Sequence, residues 1–294
     1  MIKKTIILLV LVSSFNALWA QTALKSEKCL TKNNVDDRYA SYSPDGNWIV
    51  FESNREGYWH IFLMDSKGQN EQKLTTNSAD NRRPSWHPNG KKILFESNRS
   101  GKFELYTLKV KNREVRKLQT PTENGELIFA TYSPNGKNIA VSFRESEDRS
   151  NIILLKRTGK LVRWLTTEDR RSFYPKWSND GKEIVYFSRK ETENQDDEIY
   201  RLNIKTGVES RLTNWAKHNF CPSWSFNNSR IVYVTSMEDL RPEIYIMDAD
   251  GSNKTRITNN EDGDTLPNWH PKENRILITA YRAGNFEICE LELH

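Results

Sequence analysis

Acidic and basic side chains recur together along the chain at Asp36-Asp37-Arg38, Asp80 with Arg82-Arg83, Glu126, Arg170-Arg171, His218, and Asp262 with Asp264. Carboxylates drawn around one axis could hold Ca²⁺, which takes roughly six to eight oxygen ligands. The same acids, with Arg171, His218 and a metal, could serve acid–base chemistry on a polysaccharide. The interspersed arginines offer the plainer outcome, in which the charges neutralise one another. No Gly-x-Ser-x-Gly string is present to form a nucleophile elbow, and no His-Glu-x-x-His is present to bind catalytic zinc. Among the histidines, His87 and His270 fill a slot that is serine at 43, 133, 178 and 225, so they read as turn residues. His60 stands where Glu104, Glu198, Glu243 and Glu287 stand in other segments, and His294 is terminal. Only His218 lies in a loop leading to an inner strand, where a lone histidine is more often solvated than catalytic.

Those residues are positioned by a repeat. Tyr42-Ser43-Pro44-Asp45-Gly46 returns at Trp86, Tyr132, Trp177, Trp224 and Trp269, with aromatic spacings of 44, 46, 45, 47 and 45 residues. Each unit continues with a β-branched run, a polar loop, a second apolar alternation and, in most copies, Leu-Thr or Ile-Thr, which are strand and hairpin signals. In the second unit the pattern predicts strands over 92–96, 103–110 and 114–118. Four short strands repeated at this period bury their faces only by stacking sheet on sheet. The fold class expected is all-β, a six-bladed β-propeller, with one aromatic wedge per blade. Arg55, Arg99 and Arg282 recur in register, with Arg144 and Arg189 one residue displaced, as loop-bracing groups rather than an anion site. The mouth residues differ from blade to blade, which makes Asp36, Asp37, Arg38, Asp80, Arg82, Arg83, Glu126, Arg171, His218 and Asp264 the candidate binding set.

The sixth unit ends at His294 without an outer strand, and the missing copy is Glu27-Lys28-Cys29-Leu30-Thr31. The N-terminal strand is therefore expected to complete the last blade and remove a free edge. A short turn at Lys111-Asn112 sets Tyr106 opposite Lys117, and repeat alignment converts that pair into Cys289 and Cys29. A Cys29–Cys289 disulfide is expected, with opposed Cα atoms about 4.5 to 5.5 Å apart. Cys221 is left as a buried thiol.

Lys3 and Lys4, the apolar run 6–12 and the small residues up to Ala20 read as a cleavable export signal over 1–20, leaving 21–294 as the propeller. The apolar run is short for a membrane span. The product is expected in the periplasm or secreted, an oxidising place that suits a disulfide. A net charge of +5, or +3 without the two signal lysines, argues against a nucleic-acid partner.

Ser-Pro-Asp-Gly at 43–46, Ile-Val-Phe-Glu-Ser-Asn-Arg at 49–55, Glu-Ile-Tyr-Ile-Met-Asp-Ala-Asp-Gly at 243–251 and Arg-Ile-Thr at 256–258 resemble the propeller repeats of the TolB family. The resemblance covers essentially the whole chain after the signal. It implies the propeller fold and a periplasmic, cell-envelope setting, but the N-terminal α/β domain of TolB has no counterpart in the short stretch between Ala20 and Asp37. Such repeats also occur in peptidase gating domains and polysaccharide lyases, so they specify fold more than function. The expected role is a monomeric, non-catalytic module presenting its mouth to an envelope protein or peptide. No cofactor is required, and Ca²⁺ is the ion its acids could take. A polysaccharide lyase or hydrolase, or a carbohydrate-binding module, is the alternative.

Overall fold

The computed structural model describes residues 23–120, 125–167, 171–189, 196–214, 218–236 and 241–294. The expected signal segment 1–20 and Arg170 lie outside the described residues. Chain order begins with β1 (Leu24–Cys29). Blade 1 follows as β2 (Asp37–Tyr42), β3 (Trp48–Glu56), β4 (Tyr58–Asp65) and β5 (Gln72–Lys73). Blade 2 is β6 (Asn81–Trp86), β7 (Lys92–Ser97), β8 (Glu104–Lys109) and β9 (Val115–Lys117). Blade 3 is β10 (Glu126–Tyr132), β11 (Asn138–Arg144), β12 (Ser150–Lys156) and β13 (Leu161–Trp164). Blade 4 is β14 (Ser172–Trp177), β15 (Glu183–Ser188), β16 (Glu198–Asn203) and β17 (Glu209–Arg211). Blade 5 is β18 (Asn219–Trp224), β19 (Arg230–Thr235), β20 (Glu243–Asp248) and β21 (Thr255–Arg256). Blade 6 has β22 (Asp264–Trp269), β23 (Arg275–Arg282) and β24 (Asn285–Leu293), and β1 is its fourth strand. The result is six four-stranded antiparallel sheets, as the repeat predicts.

Sheets covered on both faces explain the sequence of the second and third strands, which are apolar without alternation. Ile49, Val50 and Phe51 are all fully buried, as are Ile93, Leu94, Ile231 and Val232. Outer strands are mostly polar and exposed, and β13 leaves Val162 and Trp164 in solvent. The wedge aromatics join neighbouring blades. The Trp86 and Trp177 indoles donate to the Ser41 and Thr131 carbonyls of the preceding blade, at 3.1 and 3.3 Å.

His87 and His270 are more than turn residues. Each reaches into the following blade, where its ring meets the wedge tyrosine edge-on, His87 on Tyr132 at 4.6 Å and His270 on Tyr42 at 4.5 Å. A Cβ on Gly46 would sit 2.6 Å from the His270 ring, and one on Gly136 would sit 2.7 Å from His87. This accounts for the order of motifs: each Trp-His-Pro unit is followed by a Tyr-Ser-Pro unit, because the smaller wedge makes room for the imidazole.

The Leu-Thr ending also acquires a purpose. Thr31, Thr75, Thr166, Thr213 and Thr258 are buried, and each hydroxyl accepts the N–H of a third-strand residue, Ile288, Ile61, Ile152, Ile199 and Ile244, at 2.8 to 3.0 Å. The threonines of blades 5 and 6 then donate to Glu243 and Glu287, and His60 meets Thr75 in the same way at 3.2 Å. His60 is thus a substitute for the structural glutamate.

Ring closure follows the expected register. Tyr106 opposes Lys117, and Cys29 opposes Cys289. The two cysteines are disulfide-bonded with Cα atoms 3.8 Å apart, closer than strand spacing alone suggested. Cys221 is a buried free thiol.

Candidate functional site

Every inner strand carries a bulge at one register. Its first residue has left-handed backbone: Tyr39, Arg83, Phe129, Tyr174, Cys221 and Leu266, with φ between 50° and 60°. Left-handed backbone costs a residue with a Cβ on the order of 1 kcal/mol, so something must hold it. In four blades the freed N–H donates to a side chain on the second strand of the preceding blade. Arg83 donates to Glu52 and Phe129 to Glu96, both at 2.6 Å, while Tyr174 and Tyr39 reach Ser142 and Thr279 at 3.2 and 3.3 Å. A bulge re-aims its side chain, and here five of the six bulge residues line a cavity along the central channel.

Arg83 therefore sits inside the channel rather than on the rim. Its guanidinium pairs with the fully buried Glu96 and lies 4.5 Å over the Phe129 ring. Burial pushes the Glu52 carboxyl up to about 7 against the pull of Arg83, and raises Glu96 for the same reason. Neither glutamate is among the site residues expected from the sequence. Their signal was an acid inside an apolar strand run, Phe-Glu-Ser-Asn-Arg, repeated only in blades 1 and 2 on either side of Arg83.

One step beyond the bulge lies a second ring: Ser41, Ser85, Thr131, Lys176, Ser223 and Asn268. It is polar all round with a single charge. Lys176 lies 4.7 Å over the Tyr174 ring, and burial pushes its ammonium down to about 8. Burial also pushes the Cys221 thiol up to about 12, so it is protonated and unreactive at neutral pH.

One step to the other side of the bulge the ring is Arg38, Arg82, Ile128, Phe173, Phe220 and Thr265, basic on blades 1 and 2 and apolar on blades 3 to 5. Arg38 and Arg82 lie 5.0 and 4.9 Å over the Trp59 ring, and Arg38 also lies 4.2 Å over Phe286. Asp36 and Asp80 hold these cations, at 2.6 and 3.2 Å. Each aspartate also accepts a backbone N–H from the preceding blade, Phe286 to Asp36 at 3.1 Å and Trp59 to Asp80 at 3.0 Å. The structure thus brings Asp36, Arg38, Asp80 and Arg82 together around one tryptophan.

The remaining candidates are placed apart. Asp37 and Asp264 are fully buried and pair with the repeated Arg55 and Arg282 at 3.3 and 2.8 Å. Glu126 pairs with Arg144. Arg171 lies 5.3 Å over Phe173 with its Nε unpartnered. His218 is half exposed, and its Nδ1 accepts the Asp197 N–H at 3.2 Å. Each candidate carboxylate faces an arginine, and among the described residues these acids form no group of three converging ligands. Among the described residues, the potential metal ligands that do converge are Glu27, Cys29 and Cys289, and the disulfide removes both sulfurs from that set.

Comparison with known proteins matches this architecture. The chain is 33% identical over 155 residues to "Uncharacterized protein Atu1656" of Agrobacterium fabrum, covering 53% of this chain and 51% of that protein. It is 28% identical over 111 residues to "Uncharacterized peptidase YuxL" of Bacillus subtilis, covering 36% of this chain and 17% of that protein. The chain thus spans about half the length of the first of these curated relatives and less of the second. Among solved structures, a putative TolB from Agrobacterium tumefaciens aligns with a TM-score of 0.65 and 28% identity, over 73% of this chain and 74% of that one. TolB from Acinetobacter baumannii gives 0.66 and 16%, over 88% and 65%. An oligogalacturonate lyase in complex with manganese gives 0.65 and 16%, over 91% and 93%, a likeness of fold. No helix among the described residues is long and apolar enough to cross a membrane. The TolB beta propeller domain matches residues 38–172 and 152–294, and with its six blades, shared wedge and closed ring this chain belongs to that family.

Proposed function

We propose that this chain is an exported, non-catalytic binding propeller of the cell envelope, and that the mouth carrying Arg38 and Arg82 receives a protein or peptide partner. The observation that carries the reading is the Arg38–Trp59–Arg82 stack. It is a rigid platform of side chains held by their own aspartates, which accept backbone N–H groups of the preceding blade. Arginine and aromatic groups fixed before binding lose little entropy on association and dominate interface energetics. Phe220, half-buried on the same ring, gives such a partner an apolar contact opposite the basic one, while Ile128 and Phe173 belong to the core.

Turnover of a polysaccharide requires a carboxylate free to exchange a proton at the substrate. Asp36, Asp37, Asp80, Glu126 and Asp264 are each committed to an arginine. That commitment is why the binding reading is preferred to the enzymatic one.

The test compares capture from envelope extract by the wild type, by Arg38→Ala/Arg82→Ala, and by Lys182→Ala on the exposed turn at the opposite mouth. A partner retained by the wild type and by Lys182→Ala, and lost from the double variant, supports the proposal. Capture indifferent to the double variant, or cleavage of oligosaccharides by the wild type, overturns it.

A further inference from the structure

We infer that the channel contains a carboxylate-binding site centred on Lys176, on the far side of the bulge from the Arg38–Arg82 platform. Its ligand is a monocarboxylic acid with an apolar body. The inference is independent of the rim reading.

Sixfold repetition supplies the first argument. At this register five blades place Ser41, Ser85, Thr131, Ser223 and Asn268, so the scaffold has no need of a charged side chain there. A lone cation among hydroxyl and amide groups is the composition that receives an anion. The second argument is the missing counter-charge. Among the described residues no carboxylate pairs with Lys176. Its ammonium lies instead over the neutral face of Tyr174 at 4.7 Å. An ammonium taken out of water without an acid is costly, and a ligand carboxylate would offset that cost.

Two further polar atoms point the same way. Ser41 Oγ and Arg83 Nε are buried without hydrogen-bond partners, and both residues line the cavity that Lys176 lines. A carboxylate has enough lone pairs to accept from an ammonium, a hydroxyl and a guanidinium N–H together. Charge then selects among anions. Arg83 is already committed to Glu96 and faces Glu52, so Lys176 is the cation of this cavity without a carboxylate partner of its own. A monocarboxylate is neutralised by it, whereas a phosphate dianion would leave excess negative charge beside two buried glutamates. The rings of Tyr39, Phe129 and Tyr174 wall the same cavity and suit an apolar ligand body.

The test is calorimetric titration of the full chain with sodium benzoate, with N-acetyl-phenylalanine as a mimic of a peptide C-terminus, and with benzamide as the uncharged isostere. Saturable binding of benzoate, of N-acetyl-phenylalanine or of both is expected, and which acid binds more tightly distinguishes a free acid from a chain end. Benzamide is expected not to bind. Lys176→Met should weaken binding roughly tenfold or more, the size of a lost charge-assisted hydrogen bond. Lys176→Arg should retain binding, and Ser41→Ala should weaken it by a smaller factor. Failure of the wild type to bind either acid, equal affinity for benzamide, or unchanged affinity in a folded Lys176→Met protein overturns the inference. Because the rim variants leave this ring intact, benzoate binding by Arg38→Ala/Arg82→Ala separates the fate of this proposal from that of the rim.

Discussion

Replacing Cys29 and Cys289 together by serine opens the ring at its seam. The bond spans 260 residues of sequence, so in the chain-entropy account its removal releases on the order of 5 kcal/mol of restraint on the unfolded chain. For a domain of this size, each kcal/mol moves the melting temperature by about 2 °C, which makes the expected fall roughly 10 °C. Part of the seam survives the substitution. Lys25 still reaches Glu292 at 2.6 Å, Glu27 still meets Arg282 at 2.7 Å, and the Thr31 hydroxyl still accepts the Ile288 N–H at 2.9 Å. The variant should therefore fold, melt earlier by circular dichroism, and be cut first by protease between β1 and β2. Thiol titration of the denatured, unreduced wild type should find one free thiol, Cys221. Three thiols, or a double variant that melts with the wild type, would refute the account of closure.

Three other outcomes are expected. Lys176→Met should stabilise the protein at pH 7. The folded lysine titrates at about 8 and the unfolded one near 10.4, so the unfolded chain binds the extra proton between those values and wild-type stability should rise with pH across that window, by roughly 3 kcal/mol. Urea unfolding at pH 7 and 10 should show that slope in the wild type and a flatter one in the variant, and a variant less stable at pH 7 would contradict the reading. Gly46→Ala should lower the melting temperature, because it places a Cβ at φ +83° and 2.6 Å from His270, and pairing it with His270→Ser should recover part of the loss. Thr213→Val removes the acceptor of the Ile199 N–H, found at 2.9 Å, and the donor to Glu198, at an expected cost of about 1 to 3 kcal/mol in chemical unfolding.

Blade number, strand order and the seam are legible in the sequence because they rest on residues that recur: wedge, turn, apolar run and Leu-Thr. Register was legible for the same reason, since Tyr106 and Lys117 could be read across to Cys289 and Cys29. The bulge was hidden. Left-handed backbone is normally signalled by glycine or asparagine, whereas here it falls on tyrosine, arginine, phenylalanine, cysteine and leucine. Arg83 lies in the variable stretch that reads as mouth, but the bulge turns it into the channel. Asp37 and Asp264 looked variable between blades, yet they partner arginines that repeat. The interlock of His87 and His270 with the next blade is a long-range contact that a local pattern of serine replacement does not reveal.

A sixfold scaffold makes its own control. Where five or six blades agree, as at the buried threonines, the residue answers a demand of the repeat. Where one or two depart, the repeat supplies no reason for the departure. By that measure the informative places are few: Arg38 and Arg82 against Ile128, Phe173, Phe220 and Thr265; Glu52 and Glu96 against Ser142, Phe187, Val234 and Thr279; and Lys176 against serine, threonine and asparagine. The first two departures fall on the same blades, 1 and 2, and Arg83 ties them together through Glu96. The ring on the rim side is therefore basic over one sector and apolar over the sector facing it. The partner proposed for this mouth would set an acidic side toward Arg38 and Arg82 and an apolar side toward the half-buried Phe220.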